Sequence, residues 1–200
     1  MVDKNNKIKR FNVLDFVDPG TIDKLKKITD KERYVHSLNV AKAAVSLAYR
    51  FKVNVRKAAL AGILHDCAKM LPEGISKKYL DKLRADDLIK ENPAIWHAWT
   101  GYLYAGEIFK IKDKEILNAI KNHTIGSEKM GKLAKIIYVA DFTEDGRKYA
   151  ESKRVARLLE KRNLSLDEMV IVVLKEKLSY LLKNNRKIHV NSLKLYNSLV

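Results

Sequence analysis

Cysteine is nearly absent from this 200-residue chain: Cys67 stands alone, so no intrachain disulfide can form. Proline and glycine are scarce as well, with 3 and 8 residues, and no stretch reads as a Pro/Gly/Ser-rich linker. No apolar run approaches the ~18 residues needed to cross a bilayer. The opening MVDKNNKIKRFNV lacks the apolar centre and small-residue cleavage site of a signal peptide. A cytoplasmic protein with no membrane partner is expected. Acidic residues are outnumbered, 24 against 40 basic ones, which leaves a formal charge of +16. The basic residues are spread along the chain rather than gathered in a tail. That pattern favours polyanions such as nucleotides, polyphosphates or nucleic acid, although a merely solvated lysine-rich surface would look the same.

What the chain does have is a helical pattern almost throughout, at 46% hydrophobic and 32% charged residues. Residues 1–20 read as a loosely attached lead-in ending at Pro19-Gly20, and residues 21–200 as one domain. Thr29 with Glu32 predicts a capping box before a long helix. On it Leu38, Ala41, Val45 and Ala48 form a buried stripe, with His36, Val40, Ala43 and Leu47 beside it. A second helix is predicted from Val55 to Lys69, closed by Pro72 and Gly74, with Asn54 making the left-handed turn before it. Asn92-Pro93 opens a helix carrying His97, and Asp113 one carrying Ile116, Ile120 and His123. Gly126 follows the end of the latter. Residues 130–141 form another helix ending at Asp141. Ser165 and Glu168 cap a late helix, where MVIVVL would read as a strand if taken alone. A short helix is expected near Ser192.

Four histidines and two aspartates fall on or just after inward helix faces: His36, His65, Asp66, His97, His123 and Asp141. Imidazole and carboxylate are the ligand set for iron, manganese and similar cations. A buried carboxylate needs a cation or hydrogen bonds to offset its desolvation. His65 and Asp66 are adjacent and diverge by about a hundred degrees on a helix, so they can serve two ions or bridge them. Lys69, one turn on, can reach the same cavity; its plain alternative is a surface charge at a helix end. His189 has no acidic neighbour in sequence and reads as structural. Cys67 reads as a small buried hydrophobe in a helix rather than as a soft ligand.

Several segments carry a resemblance to a known family: RYVHSLNVAKAA (33–44), LAGILHDCAK (60–69), NAIKNHTIGSEKM (118–130), KIIYVADFTEDGR (135–147) and the closing YN (196–197). The order H…HD…H…H…D, with lysine three after HD, resembles the HD-domain superfamily of metal-dependent phosphohydrolases. The HT-x-G and AD-x-x-E-x-x-R segments make the chain similar to its symmetrical bis(5′-nucleosyl)-tetraphosphatases. The resemblance spans about residues 21–199. It implies an all-α, single HD-domain helical bundle around a buried dinuclear metal site, with those six residues as ligands and iron, then manganese, as the metal. It also implies hydrolysis of diadenosine tetraphosphate to two ADP. Asp66, Lys69 and Arg147 are the expected catalytic residues. Arg33, Lys69, Thr124 and Arg147 are expected to bind phosphate, and Trp96, Trp99 or Phe142 the base.

Two other functions fit the same residues: an HD-type nucleotidase or phosphodiesterase acting on other nucleotides, or a basic RNA-binding helical module. No RNA-binding signature or aromatic-basic interleaving supports the second. A small-molecule nucleotide is the expected partner, nucleic acid is not, and a homodimer is allowed.

Overall fold

The computed structural model describes residues 12–200, which form a wholly helical assembly with no strand among them. A short 3-10 turn (Val13–Phe16) precedes eleven α-helices. They are α1 (Pro19–Ile28), α2 (Lys31–Arg50), α3 (Val55–Leu64), α4 (Glu73–Lys82), α5 (Asp87–Lys90) and α6 (Pro93–Ile108). These are followed by α7 (Lys114–Asn122), α8 (Lys132–Thr143), α9 (Ala150–Lys161), α10 (Leu166–Lys183) and α11 (Val190–Leu199).

The centre of the bundle is the pair α2–α3, against which α7 and α8 pack; α6 lies on α7, and α10 on α8. Small side chains make the central pair possible. Ala41, Ala44 and Ala48 on α2 meet a face of α3 that contains Ala58, Ala59 and Ala61, all fully buried. At Gly62 the two backbones come so close that an added Cβ would lie 2.6 Å from the Ala41 Cα. Around this pair, Ile63, Leu64, Ile120, Ile136, Ile137 and Tyr138 complete a contiguous core. A smaller cluster of Leu80, Ala85, Ile89 and Trp96 fills the space under α4 to α6.

Helix ends follow the expected chemistry in most places. Asp113 accepts from the Glu115 and Ile116 amides at the start of α7. Ser165 and Glu168 form a reciprocal capping box on α10, so the MVIVVL run is helical. Pro93 occupies the first turn of α6 and α11 surrounds Ser192. Gly126 adopts φ +74° just after α7, where a side chain would also strike Leu195.

The structure corrects several sequence expectations. Asp30, not Thr29, caps α2 by accepting from the Arg33 amide at 2.7 Å, while the Thr29 hydroxyl donates back to the Leu25 carbonyl at the end of α1. Asn54 is extended and caps α3; Lys52 is the residue that adopts positive φ, at 55°. The second helix stops at Leu64 instead of Lys69, and residues 65–70 continue as turns held by bonds from Cys67 N to Leu64 O and Lys69 N to Asp66 O. Cys67 is buried, as expected, but in that turn. Pro72 and Gly74 start α4 rather than close α3, and α8 runs two residues beyond Asp141. Within the lead-in, Asp18 caps α1, and Val13 and Val17 are buried in the main core, so 12–18 is firmly attached; residues 1–11 lie outside the described part.

The α2–α3 contact generates a stability prediction. Gly62→Ala forces a methyl into the Ala41 backbone and should destabilise the fold by about 1–3 kcal/mol, as overpacking does. A lower urea midpoint would register it, and an unchanged midpoint would mean that the two helices can separate freely.

Candidate metal centre

The bundle brings all six predicted ligand residues together. His36 comes from the first half of α2, and His65 and Asp66 follow the end of α3. His97 comes from α6, His123 caps the end of α7, and Asp141 lies in the last turn of α8. All except His36 are buried, and His36 is half-buried.

Asp66 organises the group. Its Oδ1 lies 3.1 Å from His97 Nε2 and 3.4 Å from His123 Nε2, whereas its Oδ2 lies 3.9 Å from His36 Nε2 and 3.7 Å from His65 Nε2. Two sets of mutually close ligand atoms result, His36–His65–Asp66 and Asp66–His97–His123. Asp141 Oδ1 adds a second carboxylate to the first set, 3.2 Å from His36 Nε2 and 3.7 Å from His65 Nε2.

The second contacts of the rings decide which nitrogens face inward. His65 Nδ1 donates to the Gly62 carbonyl at 2.7 Å, and His123 Nδ1 donates to the Ile120 carbonyl at 2.7 Å. Each is a histidine at a helix end bonded to its own last turn. The Nε2 lone pairs of both are therefore directed into the cluster. His36 Nδ1 is held by Glu144 Oε1 at 3.1 Å, and its Nε2 lies 3.1 Å from His65 Nε2. His97 Nε2 lies 3.1 Å from His123 Nε2. Nitrogens this close are held either by an N–H···N hydrogen bond or by a metal ion between them. Nitrogens bound at ~2.1 Å to one ion stand roughly 3 Å apart.

Charge and burial agree with this. Burial alone would neutralise Asp66 and Asp141, but the surrounding imidazoles and, for Asp141, Arg147 hold both carboxyls well below the usual range. Burial lowers the His65 and His97 pKa values to about 4, so both rings are neutral, as ligands must be. His36 differs. Burial pulls its pKa down, yet hydrogen bonds with Asp141 and Glu144 outweigh it and raise the value to about 9. Asp66 Oδ1 is buried, with imidazole nitrogens of His97 and His123 as its close neighbours. A carboxylate oxygen at ligand spacing from two imidazole nitrogens fits a divalent cation.

The remaining expected site residues surround this core. Arg33 Nη1 reaches Asp66 Oδ2 at 2.6 Å, and Arg147 binds the Asp141 carboxylate and, at 2.7 Å, its carbonyl. Lys69 Nζ lies 2.9 Å from His97 Nδ1, and burial draws its pKa down. Thr124 follows His123 and lines a cavity of ≈ 930 Å³ that also borders Asp141, Phe142 and Arg147. Of the three aromatics expected to meet a base, only Phe142 lines this cavity. Trp96 is core, its indole N–H donating to the Ile89 carbonyl at 2.8 Å, and Trp99 is half-buried beneath the Lys121 ammonium.

Sequence reasoning missed Glu144, which orients His36 although the quoted AD-x-x-E-x-x-R segment contains it. A carboxylate just past a helix C-terminus, where the macrodipole disfavours it, was the available signal. It also missed Lys177, whose pKa burial lowers to about 8. That lysine continues the Val170, Val173, Leu174 stripe of α10, a cation on an apolar face. His189 does have an acidic partner: its Nε2 lies 3.0 Å from Asp86 Oδ2 and ties the start of α11 to α5.

Comparison with known proteins agrees with the architecture. Residues 33–187 match the HD domain family, and the chain belongs to it. It is an HD-domain hydrolase. It is 34% identical over 178 residues to the symmetrical bis(5′-nucleosyl)-tetraphosphatase of Bacillus subtilis (strain 168), covering 88% of this chain and 94% of that protein. The protein of the same name from Halalkalibacterium halodurans is 32% identical, with 85% and 90% covered. A 1.50 Å crystal structure from Clostridium acetobutylicum, described as a predicted HD superfamily hydrolase involved in NAD metabolism, superposes with a TM-score of 0.82. It is 30% identical and the match covers 90% of this chain and 95% of that one.

Two predictions come from the site. Glu144→Gln should weaken metal binding by about 10–100-fold, the usual cost of losing a partner that orients a ligand; competition with a chromogenic chelator would measure it. The metal-free protein should also be most stable near pH 6.5. Neutral His65 and His97 have folded pKa values near 4, below the free value of 6.5, so their contribution is present above 6.5 and lost as pH falls toward 4. His36, raised to about 9, contributes fully below 6.5 and loses that contribution as pH climbs through 9. A thermal midpoint that stays flat from pH 4 to 9 would contradict this.

Proposed function

We propose that this chain hydrolyses diadenosine tetraphosphate, and related dinucleoside polyphosphates, symmetrically to two ADP, using two metal ions, iron first and manganese next. The observation that carries the reading is Asp66 shared between two pairs of imidazoles, with Asp141 of the same cluster bordering a cavity that Arg147 and Lys177 also line. Curated relatives that align along most of their length bear that activity in their names. His36, His65 and Asp141 would hold one ion and His97 with His123 the other, Asp66 serving both. Bound there, two such ions supply the acidity that turns water into a nucleophile and the charge that offsets a phosphoryl oxygen.

The chain's own cations have a separate task. Arg33 and Arg147 here neutralise the two ligand carboxylates. Once metal neutralises those carboxylates, the guanidiniums are free to turn to phosphate oxygens, for which their planar fork is suited. Lys69 can only donate, so against His97 Nδ1 it fixes the proton of that ring on Nε2. Release of Lys69 toward a phosphoryl oxygen frees the ring to bind metal and moves an ammonium to where charge develops. Thr124 Oγ1, buried and without a partner, supplies a further donor. Phe142 is the aromatic placed to meet a base.

The test is product analysis with diadenosine tetraphosphate and metal-loaded protein. ADP as the sole product is expected; AMP with ATP would sink the assignment and favour an asymmetric HD phosphohydrolase. Asp66→Ala should lose both metal and turnover. Lys69→Ala should keep the metal and slow turnover by about a hundredfold, the scale of a lost charge-stabilising donor. Metal loss in Lys69→Ala would show that its role lies in the ligand set instead.

A further inference from the structure

Beside the proposed phosphate donor Thr124, the cavity next to Asp141 and Arg147 contains two polar groups, of Lys177 and Tyr138, that neither the ligand set nor the other proposed donors explain. Lys177 projects from α10, and its stem is partly exposed while its ammonium turns inward. Nζ lies 3.1 Å from each of the His123 and Thr124 carbonyls and 3.7 Å from the centroid of the Tyr138 ring. These are neutral partners. Among the described residues Lys177 makes no ion pair, whereas most other inward-facing charges of the site have an opposite charge at contact. Two carbonyls at a helix end could be satisfied by a neutral donor such as glutamine. An ammonium desolvated there without a counter-charge is costly, and carbonyl dipoles offset only part of that cost.

Two further observations come from the same cavity wall. The Tyr138 hydroxyl is buried without a hydrogen-bond partner, and so is Thr124 Oγ1; both residues line the cavity with Lys177. Native proteins seldom leave buried hydroxyls unpaired, and those that do so in a site are explained by something that binds there. Two unpaired hydroxyls and one uncompensated cation share an anion as their common complement. A phosphate supplies acceptors for both O–H groups and the charge that Lys177 lacks.

We propose that Lys177, Tyr138 and Thr124 form an anion subsite that holds a phosphate of the substrate other than the one under attack. The inference rests on the dinucleoside polyphosphate reading, because only a substrate with several phosphates reaches both the metal centre and this wall. Lys177 has a dull alternative: it ties α10 to the end of α7 and supports His123. The two roles part in their response to ligand. A tie affects folding and metal content, whereas an anion subsite affects affinity for phosphates in folded, metal-loaded protein.

Tyr138→Phe is the decisive variant, because it removes only an unpaired oxygen and should melt no lower than the parent. Lys177→Met removes the charge and keeps the stem, and Lys177→Arg restores the charge. ADP titrated calorimetrically into metal-loaded protein should bind about tenfold more weakly to Tyr138→Phe and to Lys177→Met, with Lys177→Arg recovering part of the loss. For diadenosine tetraphosphate, KM should rise more than kcat falls. ADP affinity equal to the parent's in folded, metal-loaded Tyr138→Phe would overturn the subsite, and that variant decides alone if Lys177→Met fails to fold. A parent that binds ADP in this Tyr138-dependent way yet does not cleave diadenosine tetraphosphate would leave the subsite standing and overturn the proposed reaction instead.

Discussion

One carboxylate, Asp66, binds the architecture together. Its two oxygens face two different pairs of imidazoles, and the residues concerned come from α2, α6 and the ends of α3 and α7. Burying a carboxylate is expensive unless positive charge or donors surround it. Here the surroundings are assembled from four separate chain segments, so the energetic demand of one side chain fixes how the helices converge. The closeness of α2 and α3, set by alanines and Gly62, is what lets His36 and His65 face each other across that carboxylate. Packing of small residues in the core and convergence of the candidate ligands are therefore two consequences of one helix arrangement.

Much of this was legible in the sequence, and the failures have identifiable physical causes. The caps at Asp113 and Ser165 are local features that fold as read; on α2, Val40, Ala41, Val45 and Ala48 are buried as expected, but Leu38 stays half-buried and Ser37 and Ala44 complete the inward face. The six metal-ligand candidates were legible because each interrupts an apolar face with a group that face cannot bury alone. The end of the second helix was misread because LAGILHDCAK keeps a helical pattern through Lys69. There the His65 ring takes the Gly62 carbonyl, and the chain proceeds by turns. Which of Trp96, Trp99 and Phe142 borders the cavity was not legible, since aromatic spacing does not say which face meets a cavity. Partners far apart in sequence, such as Glu144 with His36 or Asp86 with His189, depend on tertiary approach, which no local pattern encodes.

The electrostatics divide into two zones. In the ligand zone every carboxylate is matched at contact by arginine or imidazole, and the group closes on itself. In the cavity beside it the balance is unfilled, with a lysine among carbonyls and hydroxyls without acceptors. A surplus of +16 over the whole chain does not by itself say where anions bind, because most of those lysines face water. The discriminating quantity is local, a cation held where solvent cannot stabilise it. On that criterion Lys177 stands apart from the exposed lysines that pair with Glu73, Glu91 or Glu107.

The four imidazoles are also secured in two different ways. In each pair one ring is anchored to main chain, His65 to Gly62 and His123 to Ile120, while the other leans on a replaceable side chain, His36 on Glu144 and His97 on Lys69. No substitution elsewhere can delete a backbone carbonyl, so half of each pair is insulated from mutational drift. The other half can be retuned by changing one neighbour. An evolving lineage could thus adjust the orientation of those two rings independently while the scaffold that presents them is inherited intact.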